Sequence, residues 1–240
     1  MIPQINKYSL DFPDPSSANE DGILAWGGDL NPSRLIRAYQ NGIFPWYMKG
    51  EPILWWSPDP RLIMELDDFK LSRSLKKSMK KFDYKFDYKF SDVIRKCGLA
   101  PRENQNGTWI QEDIIEAYES LHGMGIAHSI ESYQNDVLVG GLYGIIVGKV
   151  FCGESMFADV NDASKSAYAI LIKHLKKWGY EFIDCQVPTD HLKSLGAKEV
   201  TRDYFLDRLE KVNMEDTIEH HWDIDKELAK LACPLGTSLE

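Results

Sequence analysis

GGLYGIIVGKVFCGESMF (Gly140–Phe157), ASKSAYAILIKHLKKWG (Ala163–Gly179) and FIDCQ (Phe182–Gln186) follow one another closely in the chain. The first is a glycine-rich apolar run, the second has the spacing of a helix, and the third is a short apolar strand. Strand, helix, strand predicts a parallel pair joined by a crossover helix. Two carboxylates, Glu154 and Asp184, fall in or beside the strand ends, among Phe, Met and Ile. An acid in such surroundings costs free energy unless it has a partner or a task. Both are candidate functional residues. The bland alternative for each is a satisfied buried carboxylate.

Upstream, FDYKFDYKF (Phe82–Phe90) alternates aromatic with charged residues and predicts a strand over its whole length. SDVIRKCGLA reads as a helix capped by Ser91. QEDIIEAYESLHGMG reads as an amphipathic helix with Ile114, Tyr118 and Leu121 on one side. AHSIESYQNDVLVGGLYGII reads as a hairpin turning at Asn135-Asp136. Downstream, TDHLKSLGA is a short helix ended by Gly196, and KEVTRDYFLDRL a last strand or helix. Beyond Met214 the acidic, weakly patterned chain reads as a partly ordered tail. In the first sixty residues, Asn31 caps a helix with Pro32 at its first position, and Asn41-Gly42 ends it. These elements give an α+β fold with a mixed, mostly antiparallel sheet, one central parallel step and flanking helices. That arrangement resembles the N-acetyltransferase-like (GNAT) fold. The expected division is a small N-terminal α/β domain (1–62), a GNAT-like catalytic domain (63–213) and a C-terminal tail (214–240).

The 240 residues are 43% apolar and 12% aromatic, enough for a substantial core. No uncharged apolar run approaches the roughly 18 residues of a membrane span, and MIPQINKYSLDFPDP lacks a signal pattern. The four cysteines show no metal spacing, and Cys152 and Cys185 lie in predicted strands as small buried thiols. The expectation is a reduced, cytoplasmic, monomeric protein without a metal. A net charge of −9 argues against a generally basic nucleic-acid binder.

Against that acidic background, KLSRSLKKSMKK (Lys70–Lys81) carries basic residues and no acidic one. It predicts a helix begun by Asp67-Asp68. Leu71, Leu75 and Met79 share one face, and Arg73, Lys77, Lys80 and Lys81 the other. A solvated surface helix is the ordinary reading; a phosphate-binding face is the functional one. The loop ADVNDASK (Ala158–Lys165) stands where acetyl-CoA enzymes place glycines for a pyrophosphate. It has no glycine and two aspartates, which disfavours an acyl-CoA donor.

GGDLNPSRLIRAYQNGIFPW, LWWSPDPR, GTWI, LHGMGIAHSIE, LVGGLYG, FCGESMF, NDASKSA, IDCQ and LKSLGA occur in this order. Together they resemble the leucyl/phenylalanyl-tRNA–protein transferase family from Phe12 to about Leu209. The resemblance implies transfer of Leu, Phe or Met from aminoacyl-tRNA to proteins with N-terminal Arg or Lys, marking them for N-end-rule degradation. It implies no cofactor, aminoacyl-tRNA being a co-substrate. It implies that Asp184 and Gln186 handle the acceptor amine and that Glu154 helps hold the acceptor's basic side chain. Trp46 and Trp109 would flank the donor's terminal adenosine, and Leu142, Phe151, Leu171 and Ile183 would line the pocket for its side chain. Ser155 and Met156 of GESMF join the substrate-binding set. Arg73, Lys77, Lys80 and Lys81 would contact the tRNA backbone. Three positions depart from the pattern: Tyr133 replaces a usual Trp, and Leu142 and Leu171 stand where relatives carry Met or Phe, leaving the donor preference open. The rival readings are an acyl-CoA N-acetyltransferase, a peptidoglycan-bridge aminoacyltransferase, and a non-enzymatic adaptor that binds N-terminal Arg or Lys.

Overall fold

The computed structural model describes residues 1–101, 107–213 and 221–230. The N-terminal part contains β1 (Gln4–Ile5), β2 (Ile23–Gly27), α1 (Pro32–Gln40), β3 (Phe44–Pro45) and β4 (Leu54–Trp56). Its strands form a small sheet in the order β1-β2-β4-β3. As the sequence predicts, Asn31 caps α1 by accepting from Ser33 N, and Pro32 begins it.

The rest contains β5 (Arg61–Glu65), α2 (Arg73–Ser78), β6 (Asp83–Phe86), α3 (Phe90–Leu99), α4 (Glu112–Gly123), β7 (Ala127–Gln134), β8 (Val137–Val147), β9 (Val150–Ala158) and α5 (Ala163–Lys177). Then come β10 (Phe182–Gln186), α6 (Asp190–Ser194), β11 (Lys198–Val200), α7 (Arg202–Asn213) and α8 (Lys226–Lys230). Seven strands pair in the order β11-β5-β10-β9-β8-β7-β6. Every neighbouring pair is antiparallel except β9 and β10, which are parallel and joined through α5. This is the mixed α+β, GNAT-like topology that the strand–helix–strand stretch predicts. Among the described residues, no helix is long and apolar enough to cross a membrane.

Two apolar layers cover the sheet. One joins Leu75, Met79, Tyr168, Leu171 and Leu175 of α2, the turn after it and α5 to Leu142, Phe151 and Ile183. The other joins Leu35, Tyr39, Ile94, Tyr118 and Phe205 of α1, α3, α4 and α7 to Tyr143, Cys152 and Phe182. The second layer spans the N-terminal part and the large sheet.

Several local expectations are corrected. The run Gly140–Phe157 is not one strand but most of a hairpin, β8 and β9, turning at Gly148-Lys149. The tandem FDYKFDYKF is a strand only in its first copy. Asp87 adopts φ +53°, and its carboxylate takes Ser129 N at 2.7 Å and faces His128 Nδ1 at 2.7 Å. That grip ends β6. The second copy becomes a turn, and α3 begins at Phe90 without the Ser91 cap, the Lys89 amide donating instead to Glu131. Nor does Asp67-Asp68 start α2. The Lys70 amide is committed to Leu195 O at 2.8 Å, so the helix waits for Ser72, whose Oγ takes Leu75 N. A 3-10 turn, Met79–Lys81, completes the basic segment. KEVTRDYFLDRL supplies both a strand, β11, and a helix, α7. His174 is buried inside α5 between Ile170 O and Asp225 N. Of the tail, residues 221–230 are described, and Trp222 and Ile224 pack on the core. Cys233 lies outside the described residues.

Candidate active site

The parallel pair is short. β9 and β10 align Val150 with Phe182, Phe151 with Ile183 and Cys152 with Asp184. Beyond that β9 runs on to Ala158 while β10 ends at Gln186. A cavity of about 790 Å³ opens where they part, a size suited to a small-molecule moiety. Its wall draws on both apolar layers. Leu142, Phe151, Met156, Tyr168, Ile183 and Cys185 make an apolar lobe on the α2/α5 side. Phe44, Trp46, Trp109 and Tyr143 line it from the other layer, together with Glu154 and Gln186.

Glu154 and Gln186 reach the cavity through irregularities in the two parting strands. Opposite β9, Tyr143 pairs with Ser155 and Gly144 with Gly153, leaving Glu154 as the extra residue of a bulge. Opposite β10, Asp184 pairs with Ile63 and Gln186 with Leu62, leaving Cys185 as the extra one. Bulges re-aim side chains. Strict alternation would send Asp184 and Gln186 off the same face of the strand; the bulge and a φ of +61° at Gln186 break it. Gln186 lines the cavity, and Asp184 is not in its wall.

The Glu154 carboxylate collects three donors. Oε1 accepts from Tyr39 OH and Gln186 Nε2, both at 2.7 Å, and Oε2 accepts from Tyr118 OH at 3.0 Å. The two tyrosine hydroxyls also touch. Burial pushes the Glu154 carboxyl up to about 7, against the pull of those three bonds and with a smaller push from the Asp184 charge. Burial, followed by the Glu154 charge, holds both tyrosines well above their ordinary range, so they act as donors.

Asp184 is 1% exposed and fully engaged. Its oxygens accept from Arg61 Nε at 2.8 Å and Nη2 at 2.6 Å, and Oδ1 also takes Gln186 N at 2.9 Å. Arg61 is equally buried, donates to Gly42 O, and has Phe44 and Phe205 ring centroids 5.0 and 4.4 Å away. Asp184 is therefore clamped as an ion-pair partner that fixes the bend at Gln186, and it stands behind the cavity wall.

Of the remaining expected residues, Trp46, Trp109, Leu142, Phe151, Ser155, Met156 and Ile183 line the cavity. Leu171 does not: it is wholly buried in the α5 core, and Tyr168, one turn earlier, takes the wall position. Arg61, Tyr39, Tyr118 and Tyr168 were missed. A lone arginine opening the apolar run Leu62–Met64 is the same kind of signal that singles out Asp184. The tyrosines carry no such mark, since each sits on an apolar helix face. Cys185 borders the cavity, but burial pushes its thiol up to about 12. His191 also borders it, held below its ordinary value by burial and then by Lys165. Tyr133 uses its hydroxyl on Glu131, at 2.5 Å.

Arg73, Lys77, Lys80 and Lys81 are exposed on α2 and the following turn. Among the described residues none is held in an ion pair, while Leu75 and Met79 face the core. The start of α5, where a CoA pyrophosphate would sit, has the Asp162 carboxylate instead, bonded to Ser78 Oγ at 2.8 Å.

The family model described as leucyl/phenylalanyl-tRNA protein transferase matches residues 63–210, and the model of that family's N-terminal domain matches residues 28–59. The chain belongs to the leucyl/phenylalanyl-tRNA–protein transferase family. It is 71% identical over 224 residues to the enzyme of that name from Sulfurimonas denitrificans, covering 93% of this chain and 98% of the relative. Identity to the Nitrosospira multiformis transferase is 51% over 232 residues, covering 95% and 99%. Among solved structures, a functionally unknown conserved protein from Staphylococcus epidermidis aligns with TM-score 0.41 and 11% identity over 75% of this chain and 68% of that one. In this transferase family member, both family matches fall on the parts that build the cavity.

Proposed function

We propose that the protein transfers Leu, Phe or Met from aminoacyl-tRNA to the N-terminal Arg or Lys of acceptor proteins. The observation that carries the reading is the cavity at the strand split, which pairs an apolar lobe with a bulge-mounted Glu154–Gln186 couple. The apolar lobe receives the donor side chain, and Trp46 and Trp109 offer π-faces to the terminal adenine, a contact worth about 1–3 kcal/mol. The lobe excludes misplaced methyls by shape, so selection is graded rather than absolute.

The acceptor amine, with an ordinary pKa of about 7.7–8.0, is partly neutral near pH 7.5. Its nitrogen attacks the ester carbonyl, the bond to the ribose oxygen breaks, and the amine gives up one proton while the ribose oxygen gains one. Gln186 spends its Nε2 on Glu154, which leaves its carbonyl oxygen to accept from the amine. Glu154, raised to about 7, is well matched to take the amine proton. A carboxylate there also complements the cationic side chain of an N-terminal Arg or Lys. Most of the acceleration comes from holding two substrates in register. The cations of α2 steer the tRNA backbone. The protein works as a cytoplasmic monomer, with no cofactor beyond the charged tRNA.

The test is single-turnover transfer of labelled leucine from Leu-tRNA to an Arg-initiated peptide, against an Ala-initiated control. Transfer to the first alone supports the reading. Peptide binding without transfer would replace it with an adaptor, and equal transfer from Leu- and Val-tRNA would refute the pocket.

A further inference from the structure

The segment after the large sheet returns to it. Asp225 N donates to His174 Nε2 at 2.9 Å, its carboxylate pairs with Lys177, and its Oδ1 takes Glu227 N, fixing α8 along the end of α5. Just before it, the Trp222 indole stacks on the His128 ring at 3.8 Å and 7°. Its edges meet Trp178 at 5.0 Å and Phe86 at 5.5 Å, and its centroid lies 6.1 Å from that of Phe151. Phe151 lines the apolar lobe of the cavity.

The Phe151 ring is held from two directions. On one side is Gly144, where an added Cβ would fall 2.6 Å from the ring, so the ring lies directly over bare backbone. Gly144 pairs with His128 in the sheet, and His128 supports Trp222. A stack of Gly144, Phe151, Trp222 and His128 thus stands behind the lobe. His128 is in turn held by Asp87 and Gly125 O. An aromatic side chain gives this stack a rigid body with few rotamers.

We propose that Trp222 is a specificity-determining residue: it backs Phe151, sets the depth of the donor lobe, and thereby sets the ratio of Leu to Phe transfer. This rests on the donor-pocket reading above. Without the indole, Phe151 can lean back toward His128, and the lobe deepens to favour the longer, flat side chain. A merely structural role for Trp222 would lower transfer of both donors alike.

The experiment measures kcat/KM with Leu-tRNA and with Phe-tRNA for wild type, Trp222→Ala and Trp222→Phe, with melting curves for all three. Binding of 3′-leucylamido- and 3′-phenylalanylamido-adenosine gives a readout that needs no turnover. Trp222→Ala is expected to raise the Phe-to-Leu ratio about tenfold, the low end of what a methylene-sized change does in an apolar pocket. Trp222→Phe is expected to restore most of the original ratio. A ratio unchanged in Trp222→Ala, in both transfer and analogue binding, overturns the proposal. If Trp222→Ala does not fold, an unchanged ratio in a folded Trp222→Leu overturns it equally. No transfer and no analogue binding by wild type would instead overturn the underlying reading.

Discussion

Replacing Asp184 distinguishes a clamping carboxylate from a catalytic one. Asp184 and Arg61 are each 1% exposed and share two bonds, of 2.8 and 2.6 Å. Asp184→Ala leaves the guanidinium buried without its counter-charge, a change that costs about 3–5 kcal/mol. For a chain of this length each kcal/mol moves Tm by about 2–4 °C, so Tm should fall by roughly 6–20 °C. Transfer should fall as well, but through Gln186. The 2.9 Å bond from Gln186 N to Asp184 Oδ1 holds the bend, and a displacement of about 1 Å in a positioning group costs on the order of 100-fold. Asp184→Asn keeps an oxygen for Gln186 N while removing the charge. It should melt lower than wild type yet retain transfer within about tenfold, since the misplacement is avoided. Melting followed by circular dichroism, alongside single-turnover transfer, checks both. If Asp184→Asn melts like wild type but transfers as poorly as Asp184→Ala, Asp184 is a chemical participant and the clamp argument is wrong.

Glu154→Gln should flatten the dependence of urea midpoint on pH. Because the folded-state value of about 7 exceeds that of an unfolded carboxyl, this contribution is complete below about pH 4.5 and is lost as pH rises through 7, an effect on the order of 3 kcal/mol. A wild-type slope that persists in the variant between pH 5 and 8 would assign it elsewhere. Gly144→Ala should cost about 1–3 kcal/mol by overpacking, since its Cβ would fall 2.2 Å from Cys152 O; an unchanged urea midpoint would refute the close approach. Reversing Lys77 and Lys80 to Glu should weaken donor binding and flatten its log–log salt dependence by about 1–2. Unchanged affinity would remove this face from the tRNA path.

The fold was legible where periodicity and local chemistry agreed. The crossover helix, the Asn135-Asp136 hairpin and the Asn31-Pro32 helix start are all present, the hairpin with φ of +51° and +61° at its two turn residues. The FDYK tandem shows where legibility ends. Two identical tetrapeptides diverge because Asp87 finds Ser129 N and His128, partners distant in sequence. The Lys70 amide is withdrawn from α2 by Leu195 in the same way. Tertiary hydrogen bonds decided these boundaries, and no window of sequence contains them. The cavity wall was largely readable because apolar residues beside a strand split have few other places to point. Leu171 lies off the wall because one turn of α5 separates the wall from the core behind it.

The polar groups of the cavity were the hardest to orient, for a reason that lies in the sheet itself. A parallel pair that parts must release strands from a ladder whose side chains alternate strictly. Alternation would keep Glu154 in step with Met156 and Gln186 in step with Asp184. Each of those pairings would waste one member: Met156 belongs in the apolar lobe and Asp184 against Arg61. One extra residue in each strand, Glu154 itself in β9 and Cys185 in β10, resolves both conflicts. The bulges let two neighbouring strands supply an apolar lobe to one layer and a hydrogen-bonded acid–amide pair to the other, 2.7 Å apart across the split. The positions that defeat the period-2 reading are therefore the ones that face the cavity.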